Sequence, residues 1–426
     1  MIPRRYQLRK DAVAFVERGH PWIFREHMSS AAEVFADGQW LRLVDGANKV
    51  VGHGIYESEG AIAIRVLRTG PERPDAGWVR GQLAAALRRR AALVARTDGI
   101  RLVHGESDGL PAVVVDRFGD TLVVASYSQG ADALARYIAC VLGDAVATLA
   151  RADTAPTDAV PVTIGTEMTT PTSTSITEVE RAERILQTVG PAQHVVLRPA
   201  RRRRGPPQPA RVLRGAPPDV AHFTEDGLAF AVDLAAGQKT GTYLDLRGLR
   251  ATIAKLPLAG ARVLNTFAYT GMLGRAAEAA GAAEIVHVDQ SQAALAFAAA
   301  HHVGDPAKHR FITADVFQWL PAAEGSYELV IVDPPAMTSR KAQVPSVLAA
   351  YRKLYKAAAR LVRPGGLVVA ACCTSRVERQ VFHKTVRAAL GEGFTRELEL
   401  PAEVDHPVSF PQADYLKIAL WRAPSP

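Results

Sequence analysis

Apolar positions change their period along the chain. Between Trp40 and Leu67, "WLRLVDGANKVVGHGIYESEGAIAIRVL" alternates β-branched runs with DG, GHG and EG breaks. Residues 1 to about 70 therefore read as short strands joined by turns. From Pro74 to Thr97 the period is helical, with Leu83, Leu87, Ala91 and Val94 on one face and Arg88, Arg89 and Arg90 beside it. Two strand-like runs follow in "PAVVVDRFGDTLVVASYS", and helical periodicity returns from Ala131 to Leu142. Cys140 falls inside that apolar pattern and is expected in the core.

Two stretches lack sustained period. Residues 151–178 are rich in Thr and Pro and read as a flexible insertion. Residues 198–218, "RPARRRRGPPQPARVLRGAPP", form a basic loop. Its run Arg201, Arg202, Arg203 and Arg204 suits either phosphate contact or plain solvation.

From about residue 219 a new rhythm begins. "ARVLNTFAYTG" is a strand entering a turn, "MLGRAAEAAGA" a helix, "EIVHVDQS" a strand ending in an acid, and "QAALAFAAAHHV" a helix. "HRFITADVFQWL", "YELVIVDPPA", a further helix and "GGLVVAACC" complete the series. Strands alternating with helices at this spacing predict an α/β fold, a parallel sheet with helices on both faces.

Composition narrows the class. A chain of 426 residues holds two or three domains of about 100–200 residues each. Its 48% hydrophobic content is enough for a sizeable core. Three cysteines make no disulfide framework, and no apolar leader or membrane span is visible, so a soluble, cytoplasmic protein is expected. The formal charge of +8 and isoelectric point near 9.5 permit a nucleic-acid partner without requiring one.

Ligands of such sheets bind beyond the carboxyl ends of the strands. Three of those ends are acidic or polar: "NTFAYTG" (265–271), "VDQS" (288–291) and "VDPP" (332–335). Asp289 lies where a nucleoside-binding fold places the acid that accepts both ribose hydroxyls, about twenty residues past the first turn. Asp315, after the next short strand, is placed to reach the adenine ring. A dinucleotide would want GxGxxG facing its pyrophosphate. "NTFAYTGMLG" keeps only Gly271 and Gly274. A cofactor without phosphates, such as S-adenosylmethionine, fits better.

"VVAACCTSRV" sets Cys372 beside Cys373. Adjacent residues rarely reach disulfide geometry, and no CxxC or clustered Cys/His spacing points to a metal. Two readings stay open at this point: small buried side chains at a strand end, or a nucleophile.

Several longer stretches carry a family resemblance: "GHPWIF" (19–24), "RLVHGESDGLPAVVVDRFGD" (101–120), "GQKTGTYLDLRGLR" (237–250), "NTFAYTG", "VDQSQAAL", "DPPAMTS" and "DHPVSFPQADYLK" (405–417). Over nearly its whole length the chain resembles the bacterial 23S ribosomal RNA cytosine-5 methyltransferases that carry an N-terminal PUA domain. The resemblance implies a β-rich PUA domain at 1–72, a mixed α/β middle domain at 73–217 and a Rossmann-like class I methyltransferase domain at 218–426. It implies S-adenosylmethionine held by Asn265, Phe267, Tyr269, Gly271, Asp289, Gln290, Asp315, Asp333, Tyr243 and Arg247. It implies RNA as the partner, for which Lys239 and the Arg201–Arg204 run are candidate contacts, although the Arg run, like the Thr/Pro-rich insertion, departs from the family pattern; no metal, no membrane partner and a homodimer as one assembly are expected. Where the family shows Cys-Ser-Cys-Ser, this chain has Ala371, Cys372, Cys373 and Thr374. On that alignment Cys373 matches the nucleophile, and Cys372 becomes a packing residue on the opposite face.

Carbon 5 of a pyrimidine is a poor nucleophile until a thiolate adds at carbon 6, which is why a cysteine belongs in such a site. Asp333 is then expected to bond the base edge and, when protonated, to assist at nitrogen 3. Amine methyltransferases with (N/D)PP(Y/F) stack the target base on the final ring. Ala336 stands there instead, against exocyclic amine methylation. Two alternatives are methyl transfer to another base position, such as guanine N7, and a non-catalytic RNA-binding or ribosome assembly factor. Intact "DPP", Cys373 and the three strand ends speak against the last.

Overall fold

A computed structural model describes residues 3–29, 35–152, 192–200, 208–235, 237, 240–338 and 340–425. The Arg201–Arg204 run, Lys239 and nearly all of the 151–178 insertion lie outside them. The chain groups into two compact units, Met1–Thr224 with Val232–Thr242 and Val404–Pro407, and Glu225–Ala231 with Tyr243–Glu403 and Val408–Pro426.

The first unit holds two five-stranded sheets. One contains β1 (Arg4–Gln7), β2 (Trp22–Phe24), β3 (Trp40–Val44), β4 (Val50–Tyr56) and β5 (Ile62–Thr69), in the order β1-β3-β4-β5-β2. Helix α1 (Lys10–Glu17) packs into it through Ala12 and Val16, one turn apart. The short-strand reading of this region missed that helix, because eight residues give the period too few repeats to show. The other sheet contains β6 (Gly99–His104), β7 (Val113–Phe118), β8 (Thr121–Ser126), β9 (His194–Arg198) and β10 (Arg211–Arg214), in the order β10-β9-β8-β7-β6. Helices α2 (Ala76–Arg89) and α3 (Asp132–Ala152) cover it.

Two expectations are corrected here. The helix read over 74–97 stops at Arg89, and Arg90 turns fully inward. Its guanidinium meets Asp108 at 2.6 Å and donates to the Ala86 carbonyl at 2.7 Å. Cys140 is exposed. Helix α3 buries Leu134, Ala135, Ile138, Ala139 and Leu142, an arc that leaves position 140 on the solvent side. A buried fork of Arg101 on Asp116, both contacts 2.8 Å, ties β6 to β7.

Strands β11 (Val220–Glu225) and β12 (Leu228–Asp233) form a separate pair. The second unit is built on β13 (Arg262–Thr266), β14 (Glu284–Asp289), β15 (His309–Thr313), β16 (Tyr327–Val332), β17 (Val362–Cys372), β18 (Thr395–Leu400) and β19 (Lys417–Arg422). Their order is β15-β14-β13-β16-β17-β19-β18, with the first five parallel and β19 antiparallel to both neighbours. Odd and even strand positions feed two separate cores. Leu264, Val330, Val332, Val368, Ala370 and Cys372 pack toward α7 (Val316–Ala322), α8 (Val344–Leu361) and α9 (Arg379–Leu390). Val263, Leu329, Ile331, Val369 and Ala371 pack toward α4 (Arg247–Ile253) and α5 (Met272–Ala279). Burial on both faces explains why these strands read as continuous apolar runs. Helix α6 (Gln292–His301) follows β14. The strand order reverses at β13, which pairs with β14 on one side and β16 on the other; in such sheets ligands bind beyond the carboxyl ends at that reversal.

Candidate active site

Every parallel strand of the second unit ends at the same edge, so the polar residues that close the runs converge. Asn265 and Thr266 end β13 and are fully buried. Thr266 Oγ1 donates to the Ile331 carbonyl at 2.6 Å, locking β13 to β16 at the reversal point. The chain then turns through Phe267 (φ 56°), Tyr269 (φ 46°) and Gly271 (φ 76°). Left-handed backbone at two bulky aromatics is strained, and such strain persists only where the surroundings enforce it. Two bonds do so: Ala268 N donates to the Val288 carbonyl at 3.1 Å, and Tyr269 N to Asp289 Oδ2 at 2.9 Å.

Asp289 is half-buried at the end of β14. Its other oxygen accepts the Ser291 amide at 2.8 Å, so the carboxylate is fixed by two amides and keeps lone pairs for a diol. Gln290, next to it, is exposed. Asp315 caps α7 by accepting Phe317 N at 2.9 Å. The Phe317 ring meets Phe267 edge-on at 5.3 Å, an aromatic pair open to solvent beside the turn.

Behind the turn lies a neutral histidine layer. His287 bonds His309 across 2.9 Å and Asn265 Nδ2 across 3.3 Å, while burial pushes its pKa down to about 3. Among the described residues, Asn265 Oδ1 is buried without a hydrogen-bond partner. An acceptor left open at a strand end calls for a donor from a ligand. Gly274 of α5 permits this layer, since a Cβ there would sit 2.2 Å from the His287 ring. The glycine is needed for close helix packing rather than for a phosphate cradle. The turn, the fixed carboxylate and the open amide oxygen fit a nucleoside with an amino-acid tail.

Two further strand ends complete the edge. Asp333 follows β16 and is half-buried, and Cys373 follows β17. The Cys373 thiol points to Asp333 Oδ1 at 3.7 Å. Cys372, one position earlier, is fully buried against α8 and α9, and burial raises its pKa. Period two thus sends one cysteine into the core and leaves the other half-exposed. Tyr243 meets Tyr269 edge-on at 5.4 Å. Burial, and then the nearness of Tyr269, Cys373, Asp245 and Asp333, keeps its phenol protonated.

Arg247, a cofactor candidate from the sequence, lies next to two carboxylates. It is buried with Glu225 Oε2 at 3.2 Å and Glu403 Oε2 at 3.6 Å. Thr374 was not singled out in the sequence, yet it joins the turns that follow β16 and β17. Its Oγ1 accepts Met337 N at 3.2 Å, and its carbonyl accepts the buried Lys417 ammonium at 3.2 Å. The signal for Lys417 is a lone charge opening the apolar run "KIALW".

Residues 176–422 match the S-adenosylmethionine-dependent methyltransferase family, and residues 7–69 match a PUA-like domain. The chain is 31% identical to a ribosomal RNA large subunit methyltransferase of Deinococcus radiodurans, covering 97% of this chain and 96% of that one. It is 28% identical to ribosomal RNA large subunit methyltransferase I of Shewanella amazonensis, covering 97% and 98%. A Streptococcus mutans structure provisionally assigned as a SAM-dependent methyltransferase superposes with a TM-score of 0.73 at 19% identity, over 99% of this chain and all of that one. A second provisionally assigned methyltransferase, solved with SAH, gives 0.74 at 20% identity over the same shares. Among the described residues, no helix is long and apolar enough to cross a membrane.

Proposed function

Because the chain belongs to the family of S-adenosylmethionine-dependent methyltransferases that includes the Deinococcus radiodurans ribosomal RNA enzyme, we propose that it methylates carbon 5 of a cytosine in large-subunit ribosomal RNA, with Cys373 as the attacking thiolate. One observation carries this reading: a half-exposed thiol stands 3.7 Å from an aspartate at the carboxyl edge of the sheet, beside the turn that fits the cofactor. Methyl transfer to guanine N7 needs no thiol there.

S-adenosylmethionine, when bound, supplies an electrophilic methyl group. The residues proposed to hold it are Asn265, Phe267, Tyr269, Gly271, Asp289 and Asp315 around the turn, with Gln290, Tyr243 and Arg247 at its margins. Cys373 gives its proton toward Asp333, and the thiolate forms a bond to carbon 6 of the cytosine. The π electrons of the 5,6 double bond move to carbon 5 and into the ring, where protonated Asp333 donates to nitrogen 3. Carbon 5 becomes nucleophilic toward the methyl group. A base then removes the carbon-5 proton, the 5,6 double bond re-forms as the C6–S bond breaks, and the nitrogen-3 proton returns to Asp333. A base inside a duplex is out of reach, so the target nucleotide enters flipped or unpaired. In this reading residues 1–72, Lys239 and the Arg201–Arg204 run engage the RNA by shape and phosphate, 73–217 connects, and 218–426 performs the chemistry.

The test uses RNA carrying 5-fluorocytosine at the target. Wild-type enzyme with S-adenosylmethionine should form an adduct that survives denaturing electrophoresis, because fluorine cannot leave as the proton does. Cys373→Ser should give neither adduct nor methylation while still binding both ligands. A fully active Cys373→Ser enzyme would exclude the thiol route and favour transfer to a ring nitrogen.

A further inference from the structure

The register pairs Asn265 of β13 with His287 of β14, and sets His309 of β15 beside Ile285, two residues earlier on β14. Val263 and Ile285 pack toward α5, and period two puts Asn265, His287 and His309 on that same face. A chain of polar contacts crosses it. Asn265 Nδ2 lies 3.3 Å from His287 Nδ1, and His287 Nε2 lies 2.9 Å from His309 Nδ1. His309 Nε2 stands 3.4 Å from Glu278 Oε2 on α5, at ion-pair distance but without the geometry of a hydrogen bond. Glu278 is itself held fast. Its Oε2 accepts Arg275 at 2.7 Å and the Gly304 amide at 2.8 Å, and its Oε1 accepts the Asp305 amide at 2.6 Å.

A neutral imidazole has one donor and one acceptor nitrogen, so with both links of the chain made it can be set in only two ways. Both rings are neutral, because burial takes His287 to about 3 and lowers His309 from its ordinary value. With the protons on Nε2, His309 turns an N–H toward Glu278, its Nδ1 accepts from His287, and His287 Nδ1 accepts from the Asn265 amide nitrogen. The Asn265 oxygen then points away from the layer. With the protons on Nδ1 both links reverse. His287 donates to the Asn265 oxygen, the Asn265 amino group points away, and the His309 lone pair faces the Glu278 carboxylate. That last facing is repulsive, whereas a carboxylate favours a proton on the nitrogen opposite it. Glu278 stays ionised: burial would raise its pKa, but the Gly304 amide, Arg275 and the Asp305 amide together bring it below the usual value. Its charge selects the first setting. Asn265 Oδ1 is accordingly the atom left without a hydrogen-bond partner among the described residues.

We propose that Glu278, His309 and His287 are positioning residues: the carboxylate fixes the two tautomers, and the tautomers hold Asn265 with its oxygen, not its amino group, toward bound S-adenosylmethionine. The proposal rests on the reading of Asn265 as a cofactor contact. The site then presents an acceptor at the end of β13 and takes a donor of the cofactor there. His309 acts on that contact from two hydrogen bonds away.

The experiment has two arms, both on full-length protein without RNA. Long-range proton–nitrogen spectra of histidine-labelled wild type should show a protonated Nε2 and a bare Nδ1 in both rings, the signals being assigned by their loss in His287→Phe and His309→Phe. Calorimetry then titrates S-adenosylmethionine into wild type, His309→Phe, Asn265→Ala and the double variant. His309→Phe keeps an aromatic ring and removes both nitrogens. It should weaken binding roughly fivefold, and Asn265→Ala roughly tenfold. The double variant should bind no more weakly than Asn265→Ala, because His309 acts only through that amide. A proton on Nδ1 of either ring in the wild type overturns the proposal, even where His309→Phe fails to fold. Losses that add in the double variant also overturn it, since His309 would then act through packing. Wild-type affinity in Asn265→Ala would sink the cofactor contact at Asn265, and the proposal with it, whatever the tautomers; weakened binding in Asn265→Ala with an Nδ1 proton would sink the relay alone.

Discussion

Gly274→Ala sets helix propensity against packing, and the structure says which wins. In an exposed helix the change would gain about 1 kcal/mol. Here the new methyl would lie 2.2 Å from His287 Cε1 and 2.8 Å from Nε2. Carbon atoms rest at about 3.5–4.0 Å, so the ring or the helix must yield by more than ~1 Å. The ring is poorly placed to yield. It is bonded to His309 at 2.9 Å, to Asn265 at 3.3 Å, and stacked on Phe311 at 4.8 Å. Overpacking costs about 1–3 kcal/mol and each lost bond about 1 kcal/mol. Subtracting the propensity gain leaves a net destabilisation of roughly 1–3 kcal/mol. The displaced ring also drags Asn265, so S-adenosylmethionine should bind more weakly. Urea unfolding and calorimetric titration read the two effects. A variant more stable than wild type would show that His287 is not seated against α5, and the account of the layer would fail.

Acid stability follows from His287 and from a second buried histidine, His302, whose Nε2 accepts the Ala231 amide at 2.9 Å. Burial pushes His287 down to about 3 and His302 to about 4, against an ordinary value near 6.5. Between those values and 6.5 the unfolded chain binds protons that the folded one refuses, so stability is full above about pH 6.5 and falls as pH drops. Urea midpoints should decline from pH 7 to 5, by up to ~1.4 kcal/mol per pH unit for each histidine; a flat profile would mean that the folded histidines are charged. Asp289→Ala should weaken S-adenosylmethionine binding roughly ten- to hundredfold, because a ribose diol loses a charged acceptor and the strained Tyr269 amide loses its tether. Unchanged affinity by calorimetry would remove Asp289 from the site.

Local pattern alone determined a good deal of this protein. Apolar runs such as "YELVIV" and "GLVVAA" announce strands buried on both faces, and the polar residues that close them, Asn265, Asp289, Asp333 and Cys373, announce a shared edge. That much is legible because parallel strands joined by helices all end on one side, whatever their order. Period two also separates Cys372 from Cys373 without coordinates. Tertiary structure decided the rest. No periodicity tells that β13 lies between β14 and β16, or that β19 enters beside β17 in the opposite sense. The Arg90 guanidinium is a core cation because Asp108 waits for it, and Cys140 is a surface thiol because α3 rolls the other way. Lys417 meets the cysteine turn from 43 residues beyond Thr374, through a strand pairing that neither segment encodes alone. Local pattern records which face of a segment is buried; only pairing between distant segments decides which buried groups meet.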